Sequence, residues 1–418
     1  MGNLSSLARA LLEPGPRWLI PVLTVFLAVF YLFVAFSYGP IFTSDGIRDL
    51  AYARVLSDLN FAPGAYLAQI EDLTGRPLSV PLQFYMSYVY LLAVLERLLG
   101  ERWLDGLVVI NALAYAGAAA LSLMIVNRAL RSAFSVLLAA GFLMLVFDGY
   151  QWVAMSQSTP IFMPVATAAL LFGVLAASSD GNWRWWALSA AMLILAIVTR
   201  PTWPPVAATV IALVLVSVIG AADSNTRTRA WGALFGAAVI GGALLIAISA
   251  QGYLEPSIIP IGFLQEFAEH WRWTYEAGVV VYDRPGTYMT PDISWWGFAR
   301  LEVARLGYFF WFLADDFSQA HRWLNIVVHV PLYGLALLGA FIVIRRPQSL
   351  SPTAVTTGLA ALMYLLIVDV YHAITFLDYD WRYRAPTYPW IILLAAIGGN
   401  TIARAWARRL VGPAGTPV

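Results

Sequence analysis

The chain of 418 residues contains no cysteine, which removes disulfide staples, thiol nucleophiles and thiolate metal ligands from consideration. It also lacks lysine: all 25 of its basic side chains are arginine, a bias that a genome rich in G and C explains. Charge of either sign is scarce at 12%, against 60% hydrophobic residues, and mean hydropathy is +0.72. A net charge of +1 gives no electrostatic footprint for a nucleic-acid partner. The four histidines, His270, His321, His329 and His372, show no HExxH-like ligand spacing. No internal repeat and no low-complexity segment is visible.

What is present is apolar length. Runs at 18–38, 78–99, 103–126, 133–149, 160–178, 184–200, 203–221, 231–250, 323–344, 353–374 and 386–403 are long enough to be helices in a bilayer. They predict an all-α polytopic membrane protein forming one domain over 1–418. The first run is too long for a signal-peptide core and lacks a small-x-small cleavage site, so it reads as a retained anchor.

Arginine placement orients the runs. The clusters Arg128/Arg131, Arg227/Arg229, Arg345/Arg346 and Arg404/Arg408/Arg409 fall on one side only if the run 78–99 does not cross. Pro77 and Pro81 flank the start of that run and Glu96 and Arg97 end it, which suits a helix lying at the surface. About ten transmembrane helices then remain, with both termini and the tail 404–418 cytoplasmic. Long outer loops cover about 40–102 and about 251–322, and a short one surrounds Asp148 to Thr159.

Charge at the outer edge of such a bundle is costly and usually kept for a task. The segment Asp378-Tyr379-Asp380-Trp381-Arg382-Tyr383-Arg384-Ala385-Pro386 lies there, against the usual charge bias. Its two arginines form a candidate phosphate clamp, since guanidinium suits bidentate contact; internal pairing with Asp378 or Asp380 is the structural alternative. Arg200, in Thr199-Arg200-Pro201, is either a snorkelling arginine or a third phosphate contact.

The first outer loop opens Thr43-Ser44-Asp45-Gly46-Ile47-Arg48-Asp49, then Tyr52 and Ala53, with an approximate apolar face. Ser44 and Asp45 are natural N-cap types. Asp45 is alternatively a general base at the mouth of a cavity, with Asp49 its rival and Arg48 and Tyr52 beside it. Asp148 either wets a helix end or supplies a second carboxylate facing Asp45, able to share a divalent ion such as Mg or Mn. In the large outer loop Trp271, Trp273, Tyr275, Tyr282, Tyr288, Trp295 and Trp296 read as an interfacial belt or as sugar-stacking surfaces. Glu266, Glu269, Asp283 and Asp292 lie among them.

Four of these features together resemble the GT-C superfamily of integral-membrane glycosyltransferases. They are Asp45 ahead of the Tyr52/Ala53 helix, Arg76-Pro77-Leu78 with Gly100, Thr199-Arg200-Pro201, and Trp381-Arg382-Tyr383-Arg384-Ala385-Pro386 before the last run. The resemblance covers about residues 18–404 in layout, though each motif is short. It implies juxtamembrane helices in the first outer loop and a polyprenyl-phosphate-linked sugar as donor. The acceptor would be a glycan, lipid or protein hydroxyl, at the outer face of a bacterial inner membrane, with inversion at the anomeric carbon. By the resemblance Asp45 is the base, Arg382, Arg384 and Arg200 hold the donor phosphate, and Tyr383 and Asp380 lie beside it. Gly46 stands where a second acidic residue often follows, which leaves metal use and a share for Asp49 open. Competing readings are a polymerase or ligase with lipid-pyrophosphate donors, and a lipid-linked-sugar transporter or flippase. A transporter predicts mid-span charge and inverted repeats, whereas charge here gathers at span ends.

Overall fold

A chain crossing a bilayer must satisfy its own backbone, and the helix does so locally. The computed structural model describes residues 12–74, 85–178, 182–219, 224–254, 279–280, 288–289, 294–313, 317–375 and 381–411. Its helices are α1 (Leu19–Tyr38), α2 (Ser44–Asp58), α3 (Pro63–Thr74), α4 (Met86–Leu99), α5 (Trp103–Leu130), α6 (Ala133–Leu145) and α7 (Thr159–Ser178). There follow α8 (Trp183–Thr199), α9 (Pro204–Ile219), α10 (Ser224–Leu254), α11 (Trp295–Phe309), α12 (Gln319–Arg345), α13 (Pro352–Thr375) and α14 (Tyr388–Val411). A two-residue antiparallel pairing, Val279–Val280 with Tyr288–Met289, and an isolated bridge between Ile41 and Met155 are the β-structure among the described residues.

The protein is an all-α membrane protein. Among the described residues, seven helical stretches are long and apolar enough to cross a membrane; α6 with Phe147–Ala154, bent by 68°, makes an eighth if counted as one span. α8 and α9 are apolar but shorter. Each of the ten runs expected to cross overlaps one of these stretches. The stretch Met86–Leu130 would be roughly 68 Å long if straight, over twice a hydrocarbon core. It turns instead at Gly100, whose φ of 55° favours glycine. A Cβ on Gly106 would stand 2.3 Å from Leu99 and 3.4 Å from Leu95, so α4 folds back against α5. There α2, α3 and α4 bury Leu50, Leu56, Tyr66, Tyr88 and Leu92 over Trp103 and Leu107, a small core separate from that of the bundle.

Helix α1 links the two ends of the bundle. Ile20, near its start, shares a cleft with Arg128 and Arg131, while Tyr38 at its end packs on Phe147, beside Asp148. Arg345, Arg346, Arg408 and Arg409 close the last turns of α12 and α14. Residues 75–84, with Arg76-Pro77-Leu78, lie outside the described residues, as do Glu266, Glu269, Trp271, Trp273, Tyr275, Tyr282, Asp283, Asp292, Asp378 and Asp380. Trp295 and Trp296 stand exposed on the first turn of α11.

Between α12 and α14 the backbones nearly touch. A Cβ on Gly339 would lie 1.9 Å from the Leu394 carbonyl oxygen, and one on Gly398 would lie 2.2 Å from that of Leu335. Lipid supplies no hydrophobic drive for helix association, so close backbone packing at small residues has to supply the attraction. Gly339→Ala and Gly398→Ala are each expected to cost about 1–3 kcal/mol by overpacking. Gly334→Ala is the matched control, because nothing lies within 4 Å of its Cβ position, and helix propensity alone favours alanine there. Thermal unfolding in detergent separates the three; equal stability of all three variants would contradict the crossing.

Candidate functional site

The site begins with a strap between two loops. Ile41 N–H donates to the Ala154 carbonyl at 2.7 Å and Ser156 N–H to the Ile41 carbonyl at 3.0 Å. Thr43 continues it, its N–H donating to Ser156 Oγ at 2.9 Å and its hydroxyl to the Ser156 carbonyl at 2.8 Å. Asn111 of α5 braces the far side by donating to the Met155 carbonyl at 3.0 Å. Thr43, rather than Ser44 or Asp45, caps α2: its Oγ1 accepts from Gly46 N–H at 3.0 Å. A Cβ on Gly46 would fall 1.9 Å from Ser156 Oγ. No side chain fits, which explains physically why a second carboxylate does not follow Asp45.

Freed from capping, Asp45 points toward the segment before the last helix. Arg382 Nη1 donates to Asp45 Oδ2 at 2.7 Å, across 337 residues of sequence, and Arg48 Nη1 lies 3.3 Å from Asp45 Oδ1. The Asp45 and Arg382 side chains keep 30% and 22% of their exposure, so the pair is reachable. Burial raises the Asp45 carboxyl, but Arg382 and Arg48 together bring it below the ordinary aspartate value. Asp49 differs. It is 1% exposed, and Arg48 Nη2 donates to its Oδ1 at 2.8 Å. Burial wins there and pushes its carboxyl up to about 6 against the pull of Arg48. Tyr52 packs into the small α2–α4 core.

Arg200 is buried rather than snorkelling. Its Nη1 donates to Thr159 Oγ1 at 2.6 Å and Ser158 Oγ at 3.2 Å. The Tyr383 ring centroid lies 5.5 Å from the Arg200 guanidinium carbon and 5.2 Å from that of Arg382. Asp45, Arg48, Asp49, Arg200, Arg382 and Tyr383 therefore form one cluster.

Arg384 does not join it. Its Nη2 donates to Asp148 Oδ2 at 2.9 Å, and Nη1 donates to the carbonyls of Trp311 and Phe309. The expected double-arginine clamp is split: Arg382 faces Asp45 and Arg384 is buried. Asp148, expected either to wet a helix end or to face Asp45, is 0% exposed. His321 Nε2 lies 3.0 Å from its Oδ1, and Asn325 Nδ2 donates to its Oδ2 at 3.3 Å. His329 hydrogen-bonds Tyr388 at 3.1 Å just beyond. Trp152 Nε1 donates to the Asp148 carbonyl at 3.0 Å, and the Tyr115 hydroxyl donates to that of Gly149, which secures the turn after α6.

No protein-family model, curated protein or solved structure matches this chain. The site consists of a half-open carboxylate–guanidinium pair flanked by two further cations, beside a closed polar lock. Among the described residues no group of three or more histidines or carboxylates is placed to hold a metal ion. Sequence reasoning misses His321, Asn325 and His329 as a unit, because none of them has a metal-ligand spacing. His321, Asn325 and His329 nevertheless recur every fourth position on apolar α12, a polar stripe that signals an intramembrane partner.

Two outcomes follow from this geometry. Asp148→Asn leaves Arg384 buried without its counter-charge and is expected to cost about 3–5 kcal/mol; Asp45→Asn, at a half-open pair, should cost about 1 kcal/mol or less. Equilibrium unfolding in detergent compares them, and similar losses would contradict the division into lock and open pair. For Asp49 the unfolded carboxyl returns to about 3.9, so between about pH 4 and 6 the folded chain holds more protons than the unfolded one. Its contribution therefore falls as pH rises through that window. Asp49→Asn should flatten the corresponding slope of unfolding temperature against pH, and an unchanged slope would argue against the buried carboxyl.

Proposed function

We propose that this protein is a membrane glycosyltransferase of GT-C type, transferring a sugar from a polyprenyl-phosphate donor to an acceptor hydroxyl. The observation that carries the reading is the reachable Asp45–Arg382 pair at 2.7 Å, with Arg200 across the Tyr383 ring. A general base and cations for a leaving phosphate are what this transfer requires, within reach of one substrate. By the arginine rule the end of the bundle holding Arg128, Arg345 and Arg408 is cytoplasmic. All ten apolar helices then cross, and the pair faces the outer side of a bacterial inner membrane.

In the proposed reaction the acceptor oxygen attacks the anomeric carbon from the face opposite the phosphate. The new carbon–oxygen bond forms as the sugar–phosphate bond breaks, Asp45 takes the hydroxyl proton, and polyprenyl phosphate leaves with inversion. Arg382 and Arg200 stabilise the charge growing on the leaving phosphate. Arg384, occupied by Asp148 and two carbonyls, acts as a positioning residue that fixes the segment carrying Arg382. An apolar slot of about 350 Å³, lined by Phe310, Tyr333, Leu337, Leu362, Leu365 and Leu394, opens beside the carbonyls that hold Arg384. It supports a donor with a hydrocarbon tail. Asp45 and Asp49 are each engaged by guanidinium groups, a poor donor set for Mg or Mn, so the proposed mechanism relies on arginine. Buried Asp49 then orients Arg48 instead of sharing the proton transfer.

Incubating the purified protein with a panel of polyprenyl-phosphate sugars and measuring released polyprenyl phosphate tests the activity and identifies the sugar. Asp45→Asn is expected to lower turnover by about 10²–10⁴-fold, the usual worth of a general base, with the folded protein retained. Full turnover in that variant rejects the assignment. Arg382→Ala should raise the donor KM and lower kcat as well, and unaltered donor kinetics would remove Arg382 from the phosphate site.

A further inference from the structure

The opposite end of the bundle carries a feature that the transfer reaction does not use. A cleft of about 500 Å³ opens there between the ends of α1, α5, α7, α8 and α13. Its rim holds Asn127, Arg128 and Arg131, and its wall holds Phe172, Leu175 and Trp185, with no carboxylate among the described residues that line it. Arg128 and Arg131 are exposed, and neither has an ion pair among the described residues.

A helix C-terminus ordinarily repels anions through its free carbonyls. Here three of the last four carbonyls of α5 have donors. Arg131 N–H donates to Asn127 at 2.8 Å, Ser351 Oγ donates to Ala129 at 3.0 Å, and Arg404 Nη2 donates to Leu130 at 3.5 Å. Both arginines line the cleft, and their side chains are not ion-paired among the described residues. The wall below them is apolar, and Phe172 and Trp185 stack at 5.8 Å to form its floor. A fitting ligand therefore has an anionic head and a hydrocarbon tail, and the surrounding medium of a membrane protein is rich in such molecules.

We propose that this cleft is a binding site for an anionic phospholipid, its phosphate between Arg128 and Arg131 and one acyl chain along Phe172 and Leu175. Basic pockets between the ends of spanning helices recognise lipid headgroups in this manner. The proposal is independent of the transfer reaction.

Native mass spectrometry of the full chain in detergent tests it, with three probes added separately. These are phosphatidylglycerol, phosphatidylcholine with the same acyl chains, and glycerol phosphate as the free anion. Retention of phosphatidylglycerol alone is expected. Arg128→Gln combined with Arg131→Gln should reduce that retention roughly 30-fold, the product of two lost surface arginines. Arg345→Gln with Arg346→Gln, at the end of α12, should leave it unchanged. Equal retention of phosphatidylcholine, equal retention of glycerol phosphate, or an unchanged adduct in the Arg128/Arg131 variant each overturns the proposal. If that variant does not fold, Phe172→Ala keeps both arginines and asks the same question. A several-fold loss of phosphatidylglycerol supports the site, and undiminished retention overturns it.

Discussion

A guanidinium and a carboxylate fully buried among apolar helices need each other, and the Arg384–Asp148 contact at 2.9 Å meets that demand. The rest of the outer end is arranged around it. Because Asp148 sits on the bent turn after α6 and Arg384 just before α14, the contact ties two loops separated by 236 residues. His321 and Asn325 of α12 complete the carboxylate's shell, and the carbonyls of Phe309 and Trp311 complete that of Arg384. Once these are satisfied, the short helical turn at Trp381–Tyr383 has little freedom left. Arg382 is then presented to Asp45 instead of to water.

Much of this was legible in the residues, and for a plain reason. A bilayer allows few backbone solutions, so apolar length located the long helices, though not α2, α3 or α11, and charge at span ends and in the first outer loop drew attention to Asp45, Asp148, Arg200, Arg382 and Arg384. Partnership was not legible. Arg382 and Arg384 share a sequence motif and an i, i+2 spacing, yet the turn between them sends one to an exposed carboxylate and the other to a buried one. Nothing in the linear pattern ranks two such arginines by burial. Gly46 is a similar case. Its meaning comes from Ser156, more than a hundred positions away in the chain, whose hydroxyl occupies the space a Cβ would need.

The two ends of the bundle use the same residue type under opposite constraints. At the arginine-rich end, Arg128 and Arg131 stand exposed at the end of a helix and have no ion pair among the described residues. At the other end, Arg48, Arg382 and Arg384 each meet aspartate. That difference follows from dielectric: charge at a membrane surface is tolerated by water and lipid headgroups, whereas charge drawn in among apolar helices needs an internal partner.

The pairing of Asp45 with Arg382 also sets a condition on the proposed chemistry. A carboxylate held below its ordinary pKa by two guanidiniums is a poor base, so the resting cluster would be weakly competent for proton transfer. An arriving donor competes for Arg382, since the two unesterified oxygens of its singly charged phosphodiester offer the guanidinium a bidentate partner, and that contact strengthens as a second charge grows on the leaving phosphate. Withdrawal of Arg382 removes the larger of the two arginine influences on Asp45, and the carboxyl moves upward toward a useful basicity. Donor binding and base activation would then be one event, and Asp45 would become an effective base only when a leaving group is in place. Arg48 cannot follow Arg382 to the phosphate without abandoning buried Asp49, which gives that second carboxylate a purpose: it holds one cation back while the other moves.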